Sequence, residues 1–174
     1  MLTATSPLCQ TTFETPLGMM RAIAGDAGIV VCDFLDRRDM DHTLDRVERQ
    51  HGKVESGEHP HLAKLVDEFN AYFEGTLRTF TVPLAPIGTE FEQRCWAYLQ
   101  SIPFGETRSY GQQARELGDI KAVRAVGRAN GRNFIAIMIP CHRVIAATGD
   151  LTGYGGGIER KRWLLNHEQP RGLF

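Results

Sequence analysis

Between positions 8 and 34 the apolar residues come in short runs separated by turn-forming residues. The stretch TTFETPLGMMRAIAGDAGIVVCDFL breaks at Pro16, at Gly18 and at the G-D-A-G turn of residues 25–28. This is the pattern of β-strands joined by tight connections. Cys32, inside IVVCDFL, is expected to be a small buried side chain. The charged segment DRRDMDHTLDRVERQHG then reads as a solvated loop or surface helix. Beyond it the period changes. In HLAKLVDEFNAYFEG, Leu62, Leu65, Val66, Phe69 and Phe73 share one stripe of an amphipathic helix. Prolines 83 and 86 of TFTVPLAPIG interrupt regular structure, so a domain boundary is placed there, between residues 1–86 and 87–174.

The second half opens on Thr89-Glu90-Phe91-Glu92, a capping box in which Thr89 and Glu92 each satisfy a free backbone donor. The helix after it puts Phe91, Cys95, Tyr98, Leu99 and Ile102 on one face, which makes Cys95 a core thiol. Ser109 and Gln112 form a second capping box, predicting a short helix over about 110–117. Gly118 makes a turn, and Asp119 caps a further helix over about 120–129. Helix, glycine turn, helix is a helix-turn-helix pattern. On its second helix Lys121, Arg124, Arg128 and Arg132 fall on one stripe, with Val123 and Val126 on the far side and Ala122, Ala125 and Ala129 flanking it. No acid occurs between Asp119 and Asp150. Uncompensated cations beside small residues suit close approach to a phosphate backbone.

FIAIMIP, residues 134–140, reads as a buried strand ending at Cys141; the loop TGYGGG and a last helix, IERKRWLLNHE, follow. The glycines 153 and 155–157 are not followed by G-K-[ST], which removes a Walker-type phosphate loop and leaves a backbone built for close approach to a ligand.

Composition narrows the class. A chain of 174 residues that is 42% hydrophobic and 24% charged can bury a real core. Residues 1–85 carry 8 Lys/Arg against 13 Asp/Glu, a net of −5, and residues 86–174 carry 12 against 8, a net of +4. A polyanion would therefore meet the second half. Neither a signal peptide nor a membrane span is visible, so the expectation is a soluble, cytoplasmic protein. Cys9, Cys32, Cys95 and Cys141 are too scattered for a disulfide scaffold or a zinc site.

The hexapeptide IPCHRV, residues 139–144, concentrates the chemistry. A zinc deaminase would need P-C-x-x-C, but Val144 stands where the second cysteine must be. A cysteine hydrolase needs a base in contact with its thiol, and neighbouring side chains of an extended chain diverge. A thiol acting as an acceptor needs only a nearby base and a positive setting to raise its thiolate fraction. His142, Arg143 and the basic helix offer both, and a soft sulfur suits attack on an alkyl carbon.

IPCHRV, with upstream SYG and VRAVGRANGRN and downstream GYGGG, closely resembles the O6-alkylguanine-DNA alkyltransferases, the methylated-DNA–protein-cysteine methyltransferases. The likeness is strong over residues 87–168; before them TPLG and the acidic strand-helix layout fit more loosely. It implies an α+β protein, with a small N-terminal antiparallel sheet plus helix domain in a ribonuclease H-like layout. A mainly helical C-terminal domain would carry the helix-turn-helix and the active-site cysteine. Cys141 would take an alkyl group from O6 of guanine in double-stranded DNA, once and irreversibly. His142 would act on the thiol through a water, with Glu168 behind it, and Tyr110 would donate a hydrogen bond to the base as it becomes an anionic leaving group. Asn133 would hold the turn. Arg124 would fill the space of the flipped nucleotide, and Lys121, Arg128, Ala125, Ala129 and Ser109 would meet the minor groove. Tyr154, Gly155, Gly156 and Val144 would line the base pocket. No cofactor and no metal is expected, and the protein would be a monomer in solution.

Three features depart from the family. Gly155 stands where some members have serine, Phe134 where proline is common, and the N-terminal cysteines do not support the structural zinc of some members. No metal-binding regulatory domain precedes the repair unit, which implies a stand-alone protein. The resemblance leaves open whether O4-alkylthymine is accepted and whether molecules assemble cooperatively on DNA. The rival reading is a sensor that binds alkylated DNA without transfer; such relatives lack the cysteine.

Overall fold

A computed structural model describes residues 7–169 and 174, and the chain divides into two compact units that meet between Ile87 and Gly88. In the first, β1 (Leu8–Thr15), β2 (Gly18–Gly25) and β3 (Gly28–Phe34) form an antiparallel meander. The short β4 (Val54–Ser56) joins the other side of β1 in parallel, giving the order β3-β2-β1-β4. A parallel neighbour requires a crossover. The charged segment supplies it as α1 (Met40–His51), a true helix that buries Met40, Thr43 and Val47 and leaves its charges outside.

Helix α2 (Pro60–Phe73) lies on the meander with Leu62, Leu65, Phe69 and Tyr72 buried. Phe69 meets Phe13 of β1 edge to face, ring centroids 5.3 Å apart. The same helix buries one carboxylate, Glu68, which accepts hydrogen bonds from the Thr81 and Val82 amides and the Thr81 hydroxyl. That fastens an otherwise irregular segment before Leu84 bridges to Ile29 of β3. At Gly28, φ is +136° and an added Cβ would stand 2.4 Å from the Pro83 carbonyl oxygen, so only glycine fits. Cys32 is fully buried, and burial pushes its thiol up.

The second unit contains α3 (Glu90–Gln100), α4 (Tyr110–Glu116), α5 (Val123–Gly131) and α6 (Ile158–Glu168). Both capping boxes form: Thr89 with Glu92, and Ser109 with Gln112. Asp119 caps the Lys121 amide at 2.9 Å, but the first turn it opens is a 3₁₀ turn, Ile120–Ala122, and α5 proper begins at Val123. Cys95 is buried in α3 beside Trp96 and Leu99, as its spacing requires.

Two expectations fail here. Residues 134–140 do not form a strand. They close on themselves through Met138 N–H to Ala136 O and Ile139 N–H to Ile135 O, and Ile137 takes a left-handed φ of 71°. An all-apolar run means burial, and burial was met by a coiled turn rather than by a sheet. Val123, expected opposite the cations, is 37% exposed, because α3 and α4 together cover the side of α5 that buries Val126, Ala129 and Asn130 instead.

Candidate active site

Two short parallel strands bring distant segments together. β5 (Arg108–Ser109) pairs with β6 (Val144–Ile145) in the register Arg108 to Val144. Tyr110 directly follows β5, and Cys141 lies three residues before β6, so the pairing sets the start of α4 beside the cysteine turn. Residues Cys141–Arg143 form a 3₁₀ turn, not the extended chain assumed for diverging neighbours. The outcome for the histidine is nevertheless a ring directed inward.

Cys141 is half-buried and His142 fully buried. The Asn133 side-chain amide donates to the Cys141 Sγ at 3.3 Å and to the Ile139 carbonyl at 2.8 Å, while its oxygen accepts from Ile135 N–H at 2.9 Å. One residue thus fastens both ends of the turn. The His142 Nε2 lies 2.8 Å from Glu168 Oε1, and its Nδ1 is buried without a hydrogen-bond partner. A carboxylate only accepts, so Nε2 must carry the proton and Nδ1 is left as the basic nitrogen.

Glu168, near the end of α6, is itself gripped by Arg143 through Nε at 2.7 Å and Nη2 at 3.0 Å; Arg143 also donates to the Ile102 carbonyl at 2.6 Å. Burial raises the Glu168 carboxyl, but His142 and Arg143 outweigh it and hold the group well below the usual carboxylate range. Burial lowers His142 below its ordinary value, although the Glu168 charge pulls the other way. Arg143, read from sequence as a source of positive field at the thiol, is instead committed to the carboxylate.

Lys161 was missed altogether. In IERKRWLLNHE it looks like one more surface cation, yet it is fully buried, and its ammonium donates to Val144 O at 2.6 Å and Thr152 O at 3.0 Å. Its spacing from Leu164, Leu165 and Glu168, all buried, is the signal that could have found it. Burial lowers its pKa to about 8, against the Cys141 charge. The Tyr110 ring lies 5.8 Å from this ammonium, and its hydroxyl donates to Thr152 O at 3.2 Å. Burial first, and the Cys141 charge second, push the Tyr110 phenol up to about 12.

The remaining candidates fall in two places. Val144 is buried in β6, Tyr154 is half-buried, Gly155 is exposed, and Gly156 accepts from Arg160 at 3.1 Å through its carbonyl. Lys121, Arg124 and Arg128 are exposed along one side of the 3₁₀ turn and α5, with Ala125 half-buried and Ala129 buried. Arg132 departs from the expected open stripe: its guanidinium meets Glu92 of α3 at 3.0 Å. Ser109 is spent on capping α4. Among the described residues no group of three or more His, Cys, Asp or Glu side chains could hold a metal ion, and no helix is long and apolar enough to cross a membrane.

Both units match family models. Residues 8–86 match the ribonuclease-like domain, and residues 90–170 the DNA-binding domain, of 6-O-methylguanine DNA methyltransferase. The fold and these matches therefore define a methyltransferase directed at DNA, with its DNA-binding domain in the second unit. Among similar proteins, the methylated-DNA–protein-cysteine methyltransferase of Mycobacterium tuberculosis is 46% identical over 160 residues, 92% of each chain. The constitutive enzyme of that name from Bacillus subtilis is 43% identical over 160 residues, 91% of this chain and 94% of its own. The crystal structure of the Mycobacterium tuberculosis protein in complex with DNA superposes with a TM-score of 0.80 at 43% identity, covering 94% of both chains. This chain belongs to the 6-O-methylguanine DNA methyltransferase family, the methylated-DNA–protein-cysteine methyltransferases.

Proposed function

We propose that the protein repairs double-stranded DNA by moving the alkyl group of O6-alkylguanine onto Cys141, once per molecule. The observation that carries this reading is the buried chain Arg143–Glu168–His142, which ends in an unpartnered basic Nδ1 in the turn that presents the thiol. A water between Nδ1 and Sγ would pass the thiol proton to the imidazole. The thiolate then attacks the alkyl carbon, an S–C bond forms, the C–O6 bond breaks, and guanine leaves with the bonding pair. Tyr110, its phenol pushed up to about 12 and so still protonated at neutral pH, donates a hydrogen bond to the departing guanine anion, which takes its proton from solvent. Its present partners, the Thr152 and Gly153 carbonyls, put that hydroxyl at the glycine loop where Tyr154 to Gly156 would border the base. Asn133 keeps Sγ on its turn, and buried Val144 backs it.

O6 lies inside the duplex, so the guanine must be extruded to reach a half-buried thiol. In this reading the exposed stripe Lys121, Arg124 and Arg128 meets the phosphates, and Arg124 fills the space left in the stack. Ala125, half-buried beside the stripe, keeps that side of α5 low enough for a minor groove, whereas Ala129 is buried against the neighbouring helices and faces away from it. Ser109 serves it by capping α4. A thioether is a poor leaving group, and nothing in the cluster can remove it, so each molecule reacts once.

Incubation with a duplex carrying O6-methylguanine should add one methyl to Cys141 in intact mass, with no turnover beyond one equivalent. Tight binding without an adduct would make the protein a sensor of alkylated DNA. Cys141→Ala should abolish transfer and keep binding. Arg124→Ala should slow repair in duplex DNA more than reaction with the free base, and equal losses would remove the wedge role.

A further inference from the structure

Inside the second unit lies a polar pair that the transfer chemistry does not use. Gln113 of α4 is fully buried and Asn130 of α5 is 5% exposed. Their side-chain amides exchange hydrogen bonds: Asn130 Nδ2 donates to Gln113 Oε1 at 2.7 Å, and Gln113 Nε2 donates to Asn130 Oδ1 at 3.1 Å. Gln113 Nε2 also donates to the Cys95 carbonyl of α3 at 3.3 Å. Three helices meet at two amides.

The apolar contacts around them are poor at defining orientation. α4 has 7 residues and α5 has 9, too short to hold their own shape. The apolar groups they bury are small: Ala114 from α4, Val126 and Ala129 from α5. Such smooth faces allow several rotations at similar burial, whereas a doubly bonded pair of planar amides allows one. A slip of one residue would turn every side chain of α5 by about 100° about its axis. Arg124 would leave the exposed stripe, whereas Asn133, beyond the end of α5, keeps its bonds to the Cys141 turn.

We infer that Gln113 and Asn130 are a matched positioning pair that sets the rotation of α5, and through it the alignment of the DNA-contact stripe with the thiol. Neither residue touches the reacting atoms. The inference rests on the transfer reading for the identity of the stripe's ligand. Trp96, whose Nε1 donates to the Ala129 carbonyl at 2.9 Å, braces the same end of α5 from α3 without fixing its rotation by a reciprocal bond.

The test uses Gln113→Leu and Asn130→Leu, which each strand the partner amide, and the exchange Gln113→Asn with Asn130→Gln, which keeps a pair of the same total length. Thr89→Ala, which loses the α3 cap, is the control for stability alone. Binding to the O6-methylguanine duplex is measured in a Cys141→Ala background, and alkylation of Cys141 by the free base in the intact background. Each single variant should bind the duplex about tenfold more weakly while free-base alkylation changes by less than about twofold, and the exchange should restore most of the binding. The inference is overturned if the single variants lose no more binding than Thr89→Ala at matched melting temperature. It also fails if free-base alkylation drops in step with binding, or if the exchange binds no better than the singles. A wild-type protein that forms no adduct with either substrate would instead refute the transfer reading, while the binding arm would still decide the role of the pair.

Discussion

Replacing Glu168 by glutamine removes one charge and almost no volume from the centre of the proposed base assembly. Three hydrogen bonds converge on that carboxylate, from His142 at 2.8 Å and from Arg143 at 2.7 and 3.0 Å. Glutamine keeps a single acceptor oxygen and leaves the buried guanidinium without its counter-charge. Breaking a buried ion pair from one side costs about 3 kcal/mol at the low end. For a chain of this size that lowers the melting temperature by roughly 6–12 °C. The sign with pH follows from the lowered carboxyl: its stabilisation is fully present above about 4.3, the unfolded carboxylate value, and is lost as pH falls through the folded value. The melting difference between wild type and Glu168→Gln should thus be constant around neutrality and shrink in acid.

Catalysis should suffer separately. The glutamine amide can donate to Nε2, which would move the imidazole proton to Nδ1 and remove the base. General-base assistance is worth about a hundredfold or more, so Cys141 alkylation by free O6-methylguanine, followed by intact mass under single-turnover conditions, should slow by that factor. A variant that melts early but alkylates at the wild-type rate would refute the assignment of His142 as base. Unchanged melting would refute the energetic account of the ion pair.

Because burial lowers His142, free-base alkylation by the wild type should stay flat as pH falls through about 6.5 and drop only below it, when the imidazole finally protonates; a midpoint at or above 6.5 would contradict this. Lys161 has a folded pKa of about 8 against an unfolded value of about 10.4, so the native state gains stability as pH rises across that window; Lys161→Met should abolish that part of the rise in pH-dependent chemical denaturation. Gly28→Ala drives a Cβ to within 2.4 Å of the Pro83 backbone and should destabilise the first unit by about 2 kcal/mol or more, read from its urea midpoint. Thr89→Ala should cost about 1 kcal/mol by the same measurement.

The caps, the amphipathic helices and the hexapeptide were legible because each depends on local spacing. Thr89 with Glu92 and Ser109 with Gln112 need only three residues to declare themselves. What escaped was decided by partners far along the chain. Lys161 looks like a surface cation until α6 is seen to bury it between the carbonyls of residues 144 and 152. Arg132 has no acid near it in sequence, yet Glu92 reaches it from α3. The run at 134–139 announced burial correctly, but a strand also needs a neighbour to accept its hydrogen bonds, and here Ala136 and Ile135 fill that role from within. The two-unit layout could be anticipated from the prolines at 83 and 86; the parallel β5–β6 contact that brings Tyr110 to Cys141 could not, because it rests on two residues from each side.

Ile137 gives that buried turn a further meaning. A β-branched residue at φ 71° is costly by about 1–2 kcal/mol in isolation, and an unfolded chain has no reason to accept it. Only the completed surroundings, with Ile135, Ile137 and Ile139 all sealed from solvent, hold it there. The turn that aims Cys141 is therefore among the things a partly folded chain lacks. Before folding is complete the sulfur is an ordinary cysteine, without its imidazole or its amide clamp, and no more prone than any other to be wasted on stray electrophiles. In the proposed reaction, alkylation of Cys141 therefore requires the native turn, and the fraction of molecules that O6-methylguanine alkylates should count the native molecules in a sample.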